Sequence, residues 1–206
     1  MQTLTPLTPQ IRKAEEPEIC NAIFRLRFAI LISEMGLPCS DQARSDAYLQ
    51  DDADTTGHLF FAMPPNGKLG DTARINLLRE GIPATFDFLL RAIGDEVPAI
   101  DTLSITSRMA VSPSYRNTPL AARLGIAVYQ YGLEQGIHHD VIFLQPALVP
   151  IYLRMGYKNL SVKMLQHPQG VVIPMLLEVR NWDYLDSIGS ICRRAPSFGK
   201  LSKIGK

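Results

Sequence analysis

The stretch from Ser104 to Tyr157 restricts the fold more than any other. Ser104-Ile-Thr-Ser-Arg-Met-Ala-Val111 is a short apolar run that stops at Ser112-Pro113, as a strand does on meeting a turn. Tyr115-Arg-Asn-Thr118 follows, with Asn117 or Thr118 placed to cap a helix. The spacing predicts that helix from Pro119 to Gln135, its apolar residues at Leu120, Leu124, Ala127, Val128, Tyr131 and Leu133, and Gly136 stops it. Val141-Ile-Phe-Leu144 reads as a short buried strand, and a third short helix leads into Tyr152-Leu-Arg-Met-Gly-Tyr157. Strand, turn, helix, strand, helix forms a compact unit in which a helix N-terminus opens at the end of a strand. Its first amide hydrogens lack partners and point outward, so such an end is an anion site.

The chain around this unit reads as one α+β domain, a twisted mixed sheet flanked by helices, and 206 residues suffice for a sizeable core. A net charge of +1 gives no bulk electrostatic case for nucleic acid or a membrane surface. Three scattered cysteines, Cys20, Cys39 and Cys192, make neither a disulfide framework nor a metal site, and imply a reducing cytoplasm. No apolar run is long enough to span a bilayer. Residues 1–14 read as a poorly patterned, mobile lead-in, 15–193 as the domain, and 194–206, with Lys200, Lys203 and Lys206, as a flexible basic tail.

Within the domain, an amphipathic helix is expected from Pro17 to about Met35, then a long polar connection from Leu37 to Thr56 that holds Asp51 and Asp54. His58 to Met63 and Lys68 to Leu78 read as a hairpin, Ala84 to Ile93 as a helix, and Ser161 to Gln166 with Val171 to Val179 as a second hairpin around His167-Pro-Gln-Gly170. A last helix is expected over Asn181 to Arg193.

The order Val111, Arg116-x-x-x-x-Ala121, Tyr152-x-x-x-Gly156-Tyr157 resembles the acyl-donor half of the GCN5-related N-acyltransferases. The resemblance implies that Met109, Ala110 and Val111 pair with a pantetheine arm. It implies that Arg116, Asn117, Thr118, Leu120 and Ala121 hold the donor's phosphate, and that Tyr152 protonates the departing thiolate. Pro119 stands where the family has its first glycine, so one amide of the phosphate cradle is missing. A donor with a single phosphate, acyl-phosphopantetheine on a carrier protein, loses less by that change than coenzyme A does. No permanently bound cofactor and no metal are implied.

The first half is similar to acyl-homoserine-lactone synthases and, more so, to long-chain N-acyl amino acid synthases. It carries Arg27-Phe28, Glu34-Met-Gly36, Asp51-x-x-Asp54, His58-Leu59, Gly70-x-x-x-Arg74 and Ser107-Arg108 in their order, and His167-Pro-x-Gly170 and Pro174-Met175 extend the likeness to the second kind. Ile105 and Leu37 replace a Glu and a Trp of the lactone synthases, which argues against lactone formation. What is implied is transfer of an acyl group, long-chain by preference, from an acyl carrier protein or acyl-CoA to the amine of an amino acid. A short-chain acetyl-CoA enzyme and a non-catalytic acyl- or carrier-binding protein are the other two readings.

Each candidate has a plainer reading. Glu34 is a general base or a solvated acid at a helix end. Tyr152 is the general acid or a core aromatic. Arg27, Arg74 and Arg108 hold the acceptor's carboxylate, or pair with Asp51 and Asp54 in a structural ion network, the second being preferred for Arg27 and a mixed role for Arg74 and Arg108. His58 and His167 read as structural residues, with His167 near the acyl groove as the other option.

Overall fold

The structure, a computed structural model, describes residues 9–96, 98–161, 164–168 and 170–199. Among these, eight strands form one sheet system: β1 (Gln10–Lys13), β2 (Gly57–Met63), β3 (Asp71–Leu77), β4 (Leu103–Val111), β5 (His139–Leu144), β6 (Lys158–Asn159), β7 (Leu165–His167) and β8 (Gly170–Glu178). Their order is β1-β2-β3-β4-β5-β8-β6, with β7 paired to β8. All neighbours run antiparallel except β4 and β5, which are parallel. That parallel pair needs a crossover, and α4 (Leu120–Glu134) supplies it.

Among the described residues, six α-helices flank the sheet. α1 (Pro17–Arg27) continues without a break as seven π-helical residues, Phe28–Glu34, where Met35 N–H reaches Ile30 O at 3.0 Å. The connection that followed it in the sequence reading is not one loop. Ser40 caps α2 (Asp41–Asp46), and Asp52–Asp54 form a single 3-10 turn. α3 (Ala84–Ile93) packs Phe86, Leu89, Leu90 and Ile93 onto one face of the sheet with Leu103, Ile105 and Val141. α4 covers the opposite face with Leu124, Val128, Tyr129 and Leu133, against Ile75, Leu77 and Leu177. α5 (Val149–Met155) and α6 (Trp182–Ser187) complete that layer.

Three boundaries differ from expectation. Residues 10–13 of the supposed lead-in are a strand, paired from Gln10↔Met63 to Lys13↔Phe60, because the β2 edge offers backbone partners that a local reading does not see. The final helix is two pieces, α6 and a 3-10 turn over Ile191–Arg194, separated at Gly189. Part of the supposed tail is packed: Phe198 meets the Trp182 ring edge-on at 5.1 Å, and Ser197 bonds Gln130. Residues 1–8 and 200–206, which make up the rest of the lead-in and tail, lie outside the described residues.

Candidate functional site

The sheet opens in its middle. β4 and β5 stay in parallel register only over Leu103↔His139, Ser104↔Asp140 and Ile105↔Val141, although both strands continue beyond. From Thr106 onward β4 keeps β3 on one side and has no β5 partner on the other. An extended ligand can therefore add its own backbone-like groups along that edge. Met109, Ala110 and Val111 lie on this open half, with Thr72↔Ala110 and Asp71↔Val111 holding them from behind.

A bulge reinforces the opening. β3 advances from Thr72 to Arg74 while β4 advances from Ala110 back to Ser107, so one extra β4 residue is accommodated. Arg108 takes it up with φ +53°, a left-handed conformation in which non-glycine residues are strained. The bulge turns Arg108 toward the same sheet face as Ser107, and Met109 toward the other.

Two cavities result, one on each face, and Thr106 lines both. The α4-side cavity holds about 30 Å³ and is walled by Met109, Gly125, Val128, Tyr152, Met155 and Tyr157. Tyr152 lies nearly buried with its hydroxyl 3.8 Å from Met109 Sδ, a weak acceptor, and its ring edge-on to Tyr157 at 5.4 Å. Burial first, and the Asp140 charge second, push its pKa up to about 12, so the phenol keeps its proton at neutral pH. Gly156 makes this packing possible: at φ +114°, a Cβ there would fall 2.3 Å from Leu185 Cδ2.

Asp140 was absent from the sequence reading, although an acid heading the apolar run Val141-Ile-Phe-Leu144 is itself a signal. It is 4% exposed and accepts three hydroxyl bonds: Ser104 at 2.5 Å and Thr106 at 3.1 Å on Oδ1, Tyr157 at 2.5 Å on Oδ2. Burial outweighs those bonds and raises its pKa to about 6.

The α3-side cavity is larger, about 120 Å³, and polar; Arg74, Ser107, Arg108 and His167 line it beside Phe86 and Phe143. Behind it lies the ion network. Arg27 Nη1 meets Asp54 Oδ1 at 2.7 Å, Arg74 Nη1 meets the same oxygen at 2.8 Å and also Asp51, and Arg108 Nη2 meets Asp51 Oδ2 at 2.5 Å. Arg74 Nε donates to Ser107 Oγ at 3.1 Å. Burial alone would raise the Asp51 carboxyl, but Arg74 and Arg108 overcome it and hold the pKa at about 2. Burial likewise lowers Arg27 to about 10 against the pull of Asp54.

The Asp51-x-x-Asp54 spacing has a local cause. Asp51 Oδ1 accepts from Ala53 N–H while Asp54 Oδ2 accepts from Asp51 N–H, a reciprocal capping box on the 3-10 turn. Gly57 lets this turn sit close: a Cβ there would lie 2.6 Å from Arg74 Cδ and 2.7 Å from Ala53 O. So the ion-network reading holds for all three arginines, and Arg74 and Arg108 also face the cavity.

The phosphate loop departs from the sequence reading. α4 begins at Leu120 with Pro119 in the cap position, where the ring has no group to cap with. Asn117 does not cap; it sits at φ +62° in the turn. Thr118 Oγ1 accepts from Leu120 N–H at 3.3 Å and donates to Tyr115 O at 2.6 Å. Helical geometry then leaves Ala121 and Ala122 as the outward-pointing amides, with Arg123 N–H already bonded to Pro119 O. Arg116 Nη1 pairs with Glu34 at 2.5 Å, so the expected phosphate ligand and the expected base hold each other. That bond keeps the Glu34 carboxyl below the usual carboxylate range.

No protein-family profile matches the chain, and no curated protein sequence matches it. Its structural likenesses are decisive for the fold, which is that of the GCN5-related N-acyltransferases. BjaI, a coenzyme-A-dependent acyl-homoserine-lactone synthase, superposes with a TM-score of 0.70 at 18% identity, covering 92% of each chain. FeeM, an N-acyl amino acid synthase from uncultured soil microbes, gives 0.65 at 17% identity over 84% of this chain and 92% of its own. Escherichia coli ElaA gives 0.58 at 16% identity over 83% of this chain and 100% of its own. Among the described residues no helix is long and apolar enough to cross a membrane, and no group of acidic, His and Cys side chains could hold a metal ion.

Proposed function

We propose that the protein is an N-acyltransferase that moves an acyl group from a phosphopantetheine thioester to the amine of an amino acid or similar small carboxylate-bearing amine. The observation that carries this reading is the gap between β4 and β5, with a protonated phenol on one face, an arginine-lined pocket on the other, and Thr106 common to both. The pantetheine arm lies along the open edge of Met109 to Val111, and its phosphate meets the amides of Ala121 and Ala122, the Thr118 hydroxyl and Arg116. Arg116 exchanges Glu34 for that phosphate.

The acceptor enters from the α3 side, where Arg108, backed by Arg74, attracts its carboxylate. The free amine attacks the thioester carbon through the gap in a ternary complex. The C–N bond forms, the C–S bond breaks, and the thiolate takes the Tyr152 hydroxyl proton. FeeM, an N-acyl amino acid synthase, supports this class of acceptor by its shared fold.

The long-chain donor on an acyl carrier protein, which presents a single phosphate, is favoured by the missing Pro119 amide. A second reading, a short-chain coenzyme A donor, is favoured by the narrow α4-side cavity that ends on the Asp140 cluster. The test is thiol release by purified protein given coenzyme A and carrier-protein thioesters of graded length with the twenty amino acids. Faster turnover with acetyl-CoA than with every long-chain donor would reverse the donor assignment. Release at the background rate with every donor would leave a binding protein.

A further inference from the structure

We infer that His167 is the general base of this transfer, taking a proton from the acceptor's ammonium as it enters the arginine-lined pocket. The inference rests on the acyltransferase reading and deepens it. Amines of this kind titrate between about 8 and 10, so the acceptor arrives as an ammonium with no lone pair to attack with. A group on the acceptor's side of the sheet has to remove that proton.

His167 ends β7, and its pairing with Gly170 in the tight β7–β8 hairpin fixes its backbone. It lines the α3-side cavity together with Thr106, Ser107 and Arg108, the residues at the parting of the strands. Among the described residues lining the two cavities, Asp140, with its pKa raised to about 6, is the alternative acid–base group. It lies on the opposite face, with both its oxygens taken by hydroxyl donors. Glu34 is tied to Arg116 at the phosphate end.

Among the described residues, the charges lining this pocket with His167 are Arg108 from β4 and Arg74 from β3, each countered by Asp51, and the lining side chains of α3, β5 and β8 are uncharged. Burial, then Arg108, hold the imidazole below its ordinary pKa, so at pH 7 it stands neutral. With the acceptor's carboxylate on Arg108, the ammonium two bonds further on lies in the pocket that the ring also lines.

The protons balance. The nitrogen begins with three and ends as an amide with one. The first goes to His167 and from there to solvent. The second, shed after the C–N bond forms, restores through solvent the phenol of Tyr152, whose own proton left with the thiol.

The test uses the full-length protein, decanoyl-coenzyme A and decanoyl-acyl carrier protein as donors, and the twenty amino acids as acceptors. The wild type should show an acidic limb in its rate profile with an apparent pKa below 6.5, and a plateau above it. His167→Gln should lose about 10²-fold or more at pH 7. Its rate should then rise about tenfold per pH unit, because it depends on the free amine, so that the gap narrows toward pH 9. Imidazole added to His167→Gly should restore part of the rate. A wild-type profile without the acidic limb overturns the inference and needs no folded variant. So does a His167→Gln enzyme that melts with the wild type and stays within about threefold of its rate across the range. If the wild type itself releases no thiol with any pair, the acyltransferase reading has failed, and the assignment of His167 falls with it.

Discussion

Asp54→Asn removes one negative charge from the centre of the ion network and, with the amide oxygen on the Asp51 N–H, replaces the acceptor shared by Arg27 and Arg74 with an NH2 donor. The Asp54 side chain has no exposed surface, Arg27 has none, and Arg74 only 1%. One carboxylate oxygen holds Arg27 at 2.7 Å and Arg74 at 2.8 Å; the other accepts Asp51 N–H at 3.0 Å. Arg74 retains Asp51 when the charge goes, whereas Arg27 has no other acidic partner among the described residues, and its Nε and Nη2 already lack acceptors. Breaking a buried pair from one side costs about 3–5 kcal/mol, because the remaining charge stays desolvated. The amide oxygen of Asn still caps the Asp51 N–H, so the capping contribution of about 1 kcal/mol is retained. Asp54→Ala loses that as well and should be the worse of the two by about that amount. Trp182, the single tryptophan, reports unfolding in urea at pH 7. With a slope of about 2 kcal/mol per molar, a loss of 4 kcal/mol moves the midpoint down by about 2 M. Adding Arg27→Met to Asp54→Asn removes the stranded guanidinium and should recover part of the loss. A midpoint for Asp54→Asn within 0.5 M of wild type, or strict additivity with Arg27→Met, would refute the view that uncompensated buried charge sets the cost.

Other expectations concern the α4-side cavity. The Asp140 carboxyl has a folded pKa of about 6 against 3.8 unfolded, so the folded state holds its proton more tightly; stability is fully present below pH 3.8 and falls as pH rises to 6. Two units at 1.36 kcal/mol each give about 3 kcal/mol, and wild type should lose that much more than Asp140→Asn between pH 4 and 7 in urea titrations. Tyr152→Phe should melt with the wild type, since its hydroxyl's one partner among the described residues is Met109 Sδ, a weak acceptor, yet lower kcat about 10²-fold with little change in KM. Gly156→Ala should cost about 2–4 kcal/mol and lower the melting temperature by at least 5 °C, because it combines φ +114° with a Cβ 2.3 Å from Leu185. Glu34→Gln should tighten coenzyme A binding a few-fold by freeing Arg116, while Arg116→Ala weakens it; equal changes in the same direction would exclude the exchange of partners.

The sequence by itself determined the elements whose cause is local. Ser112-Pro113 ends β4, Gly156 turns α5 into Tyr157, and the apolar spacing of Ala84 to Ile93 sets the buried face of α3. These depend on backbone freedom and side-chain periodicity within a few residues, which any window of the chain displays. The same order of motifs carried the fold, and it brought Arg27, Arg74, Arg108, Asp51 and Asp54 to notice as a group. Only the tertiary structure decided how they divide between ion network and pocket wall, because that depends on contacts across 23 to 57 residues of chain. It also recruited residues 10–13 to the β2 edge and paired Glu34 with Arg116. The parting of β4 from β5, which gives the molecule two faces meeting at Thr106, was equally beyond a local reading. A strand's sequence fixes which way its side chains alternate, whereas the point at which its neighbour turns away is set by the bulge at Arg108 and the layers packed on either side.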